Sequence, residues 1–119
     1  MDWTRPTGQM LGRFQPWHEG HLSLFKRIHE DSGQVIVQIR HVEIDDNNPY
    51  DTNQVATFIS TSLNLNGFTA GIDYDIMIVP NIINIGYGRD VGYKITQYDL
   101  GEDIHNISAT KIRLQGLDE

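Results

Sequence analysis

The chain has 119 residues, 39% of them hydrophobic and 21% charged, ordinary proportions for one globular domain with a single modest core. Nine basic residues against sixteen acidic ones leave a formal charge of −7, which argues against broad electrostatic binding of DNA or RNA. There is no cysteine, no apolar run near the ~20 residues of a membrane span, and no basic-then-apolar start of a signal peptide, so the expected setting is the cytoplasm.

Residues 8–14, "GQMLGRF", form a short apolar run that ends in a turn marked by Gly and Pro, and read as a buried strand. Leu22, Phe25 and Ile28 recur at helical spacing and Gly33 supplies a stop, predicting a helix over 19–32. Residues 34–42, "QVIVQIRHV", are β-branched and nearly continuous, the pattern of a strand covered on both faces. A polar loop follows. Asp51 with Gln54 three residues later has the form of a capping box, and Phe58, Ile59 and Leu63 line one face of a second helix. Residues 74–80, "YDIMIVP", predict a third strand ended by Pro80, and the alternation of Val91, Tyr93 and Ile95 predicts a short fourth. Residues 107–115, "ISATKIRLQ", open a last helix with Ser108 as N-cap and Ile107 and Ile112 as a hydrophobic staple. Strand, helix, strand, helix, strand is the grammar of βαβ units on a parallel sheet, with ligands beyond the carboxyl ends of the strands. One domain over residues 1–119 is expected.

The stretch "GRFQPWHEGH", residues 12–21, lies where strand one should give way to helix one. His18 and His21 are three residues apart, so on a first helical turn they share a face. That turn also exposes unsatisfied N–H groups and the positive end of the helix dipole. Gly20 lets a bulky anion approach the backbone, and Arg13 offers a planar fork for phosphate oxygens. Alone, the pair reads more readily as solvent-exposed helix residues. A zinc-protease reading fails because that helix needs histidines at i and i+4. Near the other end, Ser108 and Thr110 place hydroxyls at a second helix N-terminus, with Arg113 on the same side as Thr110 and Lys111 adding charge. The glycines of "GYGRDVG" lack dinucleotide-fingerprint spacing and read as a plain connection.

Together, "GRFQPWHEGH" and "ISATKIR" resemble the HxGH and ISxTxxR signatures of the nucleotidyltransferase superfamily, in the family's order and spacing. The resemblance implies a Rossmann-like three-layer α/β/α domain with a small parallel sheet, here in a compact variant. It implies catalytic roles for His18, His21 and Arg113, and nucleotide contacts from Gly12, Arg13, Phe14, Gly20, Ile107, Ser108, Thr110 and Lys111. The implied partners are ATP (or another nucleoside triphosphate) and a small phosphorylated acceptor, with Mg²⁺ held mainly by the nucleotide and water and with no protein metal ligands. Relatives generally self-associate, so a homo-oligomer is expected.

The lead-in "GRFQP" and the loop "NNPY" are most similar to nicotinamide-nucleotide adenylyltransferases of the archaeal type. That likeness implies transfer of AMP from ATP to nicotinamide mononucleotide, giving NAD and pyrophosphate. It assigns acceptor contacts to Asn48 and Tyr50, and to Tyr87 and Trp17 as aromatic candidates, although Trp17 reads equally well as packing beneath the turn. Only about two dozen residues separate "IVP" from "ISATKIR", where the family fits a further strand and helix. A cytidylyltransferase or another adenylyltransferase therefore stays open, as does a nucleotide-binding sensor without turnover.

Overall fold

The computed structural model describes residues 1–89 and 92–100. Its first strand, β1 (Gly8–Gly12), stops two residues earlier than expected because Phe14 takes a left-handed φ of 54° that no strand continues. Helix α1 (Glu19–Ser32) has the expected bounds and ends on Gly33, whose φ of 80° is the left-handed C-cap that glycine adopts without strain. β2 (Val35–Arg40) follows at once. Helix α2 (Thr52–Leu65) starts on the expected capping box: the Asp51 carboxylate accepts from the Gln54 N–H at 2.8 Å and the Gln54 side chain accepts from the Asp51 N–H at 3.0 Å. β3 (Tyr74–Val79) completes the series.

Among the described residues three strands are parallel in the order β1-β2-β3, with Met10 beside Val37 and Val37 beside Ile76. That order does not reverse, so right-handed crossovers carry α1 and α2 over the same face. Val35, Val37 and Ile39 point into that face and are fully buried, in one cluster with Phe25 and Ile28 of α1 and Val55, Ile59 and Leu63 of α2. At about 1.5–3 kcal/mol for each fully buried large apolar side chain, this seam is the main source of stability. Ile36, Gln38 and Arg40, on the opposite face, are only half-buried. Coverage of β2 on both faces is therefore corrected: among the described residues the strand alternates, with helices over one side.

The expected fourth strand is also corrected. Val91 lies outside the described residues, whereas Tyr93 and Ile95 sit in irregular chain, each 68% exposed. Alternation makes a strand only where a neighbouring strand takes up its N–H and C=O groups. The helix expected at 107–115 lies outside the described residues.

The chain after β3 returns across α1. The Tyr98 hydroxyl donates to Asp31 at 2.7 Å, and the Arg27 guanidinium lies over the Tyr98 ring at 5.7 Å.

Candidate functional site

The carboxyl end of β1 turns into α1 over six residues, and nearly all of that turn is packed. Gly12 is required there: a Cβ at this position would stand 2.8 Å from Cε1 of Phe14, whose ring folds back over the strand end. Phe14 is buried and meets Trp17 edge-on at 5.3 Å and His21 edge-on at 5.0 Å. Gln15, also buried, plugs into the loop after β2: its Nε2 donates to the Tyr50 carbonyl at 2.9 Å and its Oε1 accepts from the Tyr50 N–H at 3.0 Å. This pair of bonds ties the turn to the second loop at the same edge of the sheet.

Trp17 takes the packed position, one of the two readings its sequence left open. It is buried beneath the turn, its indole N–H donates to the Ser62 hydroxyl of α2 at 3.0 Å, and its ring lies 5.4 Å from that of His21. Its place in this structure is the floor under the histidines.

His18 is the N-cap of α1 and His21 the third helical residue, and the two form a capping box made of imidazoles. His18 Nδ1 accepts from the Gly20 N–H at 3.0 Å, and His21 Nδ1 accepts from the His18 N–H at 3.1 Å. The rings stack at 3.8 Å with a 23° tilt. Each Nδ1 therefore spends its lone pair on a backbone amide. A neutral imidazole bonded this way carries its proton on Nε2, so both rings offer an Nε2–H. Among the described residues neither Nε2 has a hydrogen-bond partner, and both histidines are half-buried. Burial keeps both rings neutral. It lowers the pKa of His18, and it pushes His21 down to about 3, with the neighbouring His18 adding to the effect.

Arg13 donates through Nη1 to Asn48 Oδ1 at 3.0 Å, which joins the loop after β2 to the site a second time. Asn48 is buried, and its Nδ2 donates to Asp45 Oδ1 at 2.9 Å. Tyr50 packs edge-on against Phe58 of α2 at 5.1 Å. Gly20 is buried in the first turn.

The structure thus gathers Gly12, Arg13, Phe14, Trp17, His18, Gly20, His21, Asn48 and Tyr50 around the carboxyl ends of β1 and β2. Tyr87 is 58% exposed in the irregular chain after β3. Ile107, Ser108, Thr110, Lys111 and Arg113 lie outside the described residues. Sequence reasoning missed Gln15 and Asp45. Only Asp45 had a local signal, since an Asp side chain in a polar loop readily accepts from the backbone N–H two residues on. Among the described residues no group of three or more His, Asp or Glu could hold a metal ion.

No family model matches the chain. A nicotinamide-nucleotide adenylyltransferase of Methanosphaerula palustris is 32% identical over 72 residues, 59% of this chain and 39% of that protein. The crystal structure of a bifunctional NMN adenylyltransferase/ADP ribose pyrophosphatase from Francisella tularensis, complexed with AMP and a Mn ion, superposes with a TM-score of 0.55 at 27% identity. That superposition covers 64% of this chain and 22% of that one. The chain spans well under half the length of either protein. It resembles the nucleotidyltransferase superfamily, and within it nicotinamide-nucleotide adenylyltransferases, in sequence and in its Rossmann-like fold.

Proposed function

We propose that this chain, acting as one domain, is a nucleotidyltransferase that moves AMP from ATP to nicotinamide mononucleotide and releases pyrophosphate. The observation that carries the proposal is the imidazole capping box. It fixes two neutral Nε2–H donors at the N-terminus of α1, beyond the carboxyl end of β1, where a helix end and a parallel sheet both favour a phosphate. The likeness to two adenylyltransferases points to the same chemistry.

The reaction asks little proton chemistry of the protein. The acceptor phosphate is already ionised near pH 7, so its oxygen attacks the α-phosphorus directly. One P–O bond forms while the bond to the pyrophosphate oxygen breaks and takes its electron pair. What remains is positioning and charge. The two Nε2–H groups donate to phosphate oxygens without giving up their protons. Arg13 and Arg113 neutralise charge, Ser108 and Thr110 hold the β- and γ-phosphates, and Lys111 adds charge nearby. A divalent ion, held by the triphosphate and water rather than by protein ligands, would supply further charge neutralisation.

The test is to incubate the protein with ATP or CTP, Mg²⁺ and a panel of phosphorylated acceptors and to follow pyrophosphate. NAD formed from ATP and nicotinamide mononucleotide supports the proposal. Turnover with CTP moves it to a cytidylyltransferase, and ATP binding without release moves it to a sensor.

A further inference from the structure

The carboxylate of Asp45 accepts three hydrogen bonds through a single oxygen. Oδ1 takes the N–H of Asn47 at 2.8 Å, the N–H of Asn48 at 2.8 Å and the side-chain Nδ2 of Asn48 at 2.9 Å. Two reciprocal backbone bonds close the same four residues, Asp45 N to Asn48 O at 3.1 Å and Asn48 N to Asp45 O at 3.2 Å. The result is a rigid corner around one buried amide.

The orientation of that amide matters. The oxygen and nitrogen of an Asn side chain are nearly isosteric, so only its partners decide which way it points. Here the partners are opposite in kind. Asp45 Oδ1 only accepts and faces Nδ2; Arg13 only donates and faces Oδ1. Turning the amide over would set a donor against the guanidinium and an acceptor against the carboxylate. With the amide locked, Asn48 holds one Nη of an exposed side chain whose rotamer freedom would otherwise be lost when a ligand binds.

We infer that Asp45 is a positioning residue that aims Arg13 at phosphate through the locked amide of Asn48; the inference rests on the reading of Arg13 as a phosphate ligand. Its effect runs against simple charge. A carboxylate near an anion site should weaken anion binding, so removing it should tighten binding if charge were all that mattered. Positioning predicts the reverse, and it depends on the acceptor oxygen rather than on the charge.

The experiment measures binding of inorganic tripolyphosphate and of ATP by calorimetry to the wild-type protein and to Asp45→Ala, Asp45→Asn, Asp46→Asn, Arg13→Ala and the Asp45→Ala/Arg13→Ala double variant. Asp45→Ala is expected to weaken both ligands about fivefold, the scale of one net hydrogen bond. Asp45→Asn, which keeps the acceptor and loses the charge, restores wild-type affinity or better, and Asp46→Asn does not weaken binding. In the Arg13→Ala background Asp45→Ala adds nothing. Equal weakening by Asp45→Asn and Asp45→Ala, or tighter binding with Asp45→Ala, overturns the inference. If Arg13→Ala weakens binding and Asp45→Ala does not, the relay fails and the phosphate site stands. If Arg13→Ala binds as wild type, the reading of Arg13 itself falls, and the inference with it.

Discussion

Acidification should act on this protein through His21 more than through its neighbours. The ring is held neutral by burial, with a pKa pushed from 6.5 to about 3, while the unfolded chain protonates it near 6.5. The folded state therefore binds fewer protons than the unfolded state between those values, and stability falls as the pH is lowered through that window. The loss starts below pH 6.5 and is complete near pH 3. At 1.36 kcal/mol per pH unit the whole span is worth about 5 kcal/mol, and by pH 5 about 2 kcal/mol has gone. A domain whose total stability is about 5–15 kcal/mol would register either amount. His21→Gln is the clean reference, because Gln at the third helical position can still accept from the N-cap N–H but does not titrate. Urea denaturation of both proteins at pH 7 and pH 5 should show the wild type losing about 2 kcal/mol more than the variant. Identical pH dependence in the two proteins would mean that His21 is not the group that titrates on unfolding.

Other substitutions test the frame around the histidines. Trp17→Phe and Ser62→Ala each remove the 3.0 Å indole-to-hydroxyl bond and should each cost about 1 kcal/mol, with the double variant costing clearly less than the two together in a thermal or urea cycle. Gly12→Ala drives a methyl to 2.8 Å from the Phe14 ring and should destabilise by about 1–3 kcal/mol, a loss that Phe14→Leu in the same chain partly reverses. Gln15→Leu keeps the volume but takes both partners from the Tyr50 backbone, so about 1–3 kcal/mol should be lost in urea denaturation, and amide exchange at Tyr50 should accelerate. His21→Ala should lower kcat by about 10²–10³, as removal of one oxyanion donor does, in the pyrophosphate-release assay.

The periodic parts of the fold were legible in the sequence, and the reasons are local. Leu22, Phe25 and Ile28 mark one helical stripe, Gly33 can take the left-handed cap, and Asp51 with Gln54 announces its own hydrogen bonds, so α1 has the expected bounds and α2 starts where the pattern puts it. The shared face of His18 and His21 followed from their spacing alone, and their rings do stack. What stayed hidden depends on partners distant in the chain. No local rule makes histidine an N-cap, since the usual choices are Ser, Thr, Asp and Asn. The fate of Trp17 turns on Ser62, forty-five residues later, and that of Gln15 on Tyr50, thirty-five residues later. β2 looked doubly covered because Ile36 is apolar like its neighbours, and only the strand order reveals that both helices lie over one face. Tyr93 and Ile95 alternate without a strand to pair with.

On the proposed function, the two imidazoles each use Nδ1 to cap a helix and keep Nε2–H for phosphate. Long-range ¹H–¹⁵N correlation spectra of protein labelled at histidine report this directly. At pH 7 the expected spectrum shows unprotonated Nδ1 and protonated Nε2 in both His18 and His21, with the two Nε2 resonances, and not the Nδ1 resonances, moving when ATP and Mg²⁺ are added. A proton on either Nδ1, or Nε2 resonances indifferent to saturating ATP, would rule out the two rings as phosphate donors.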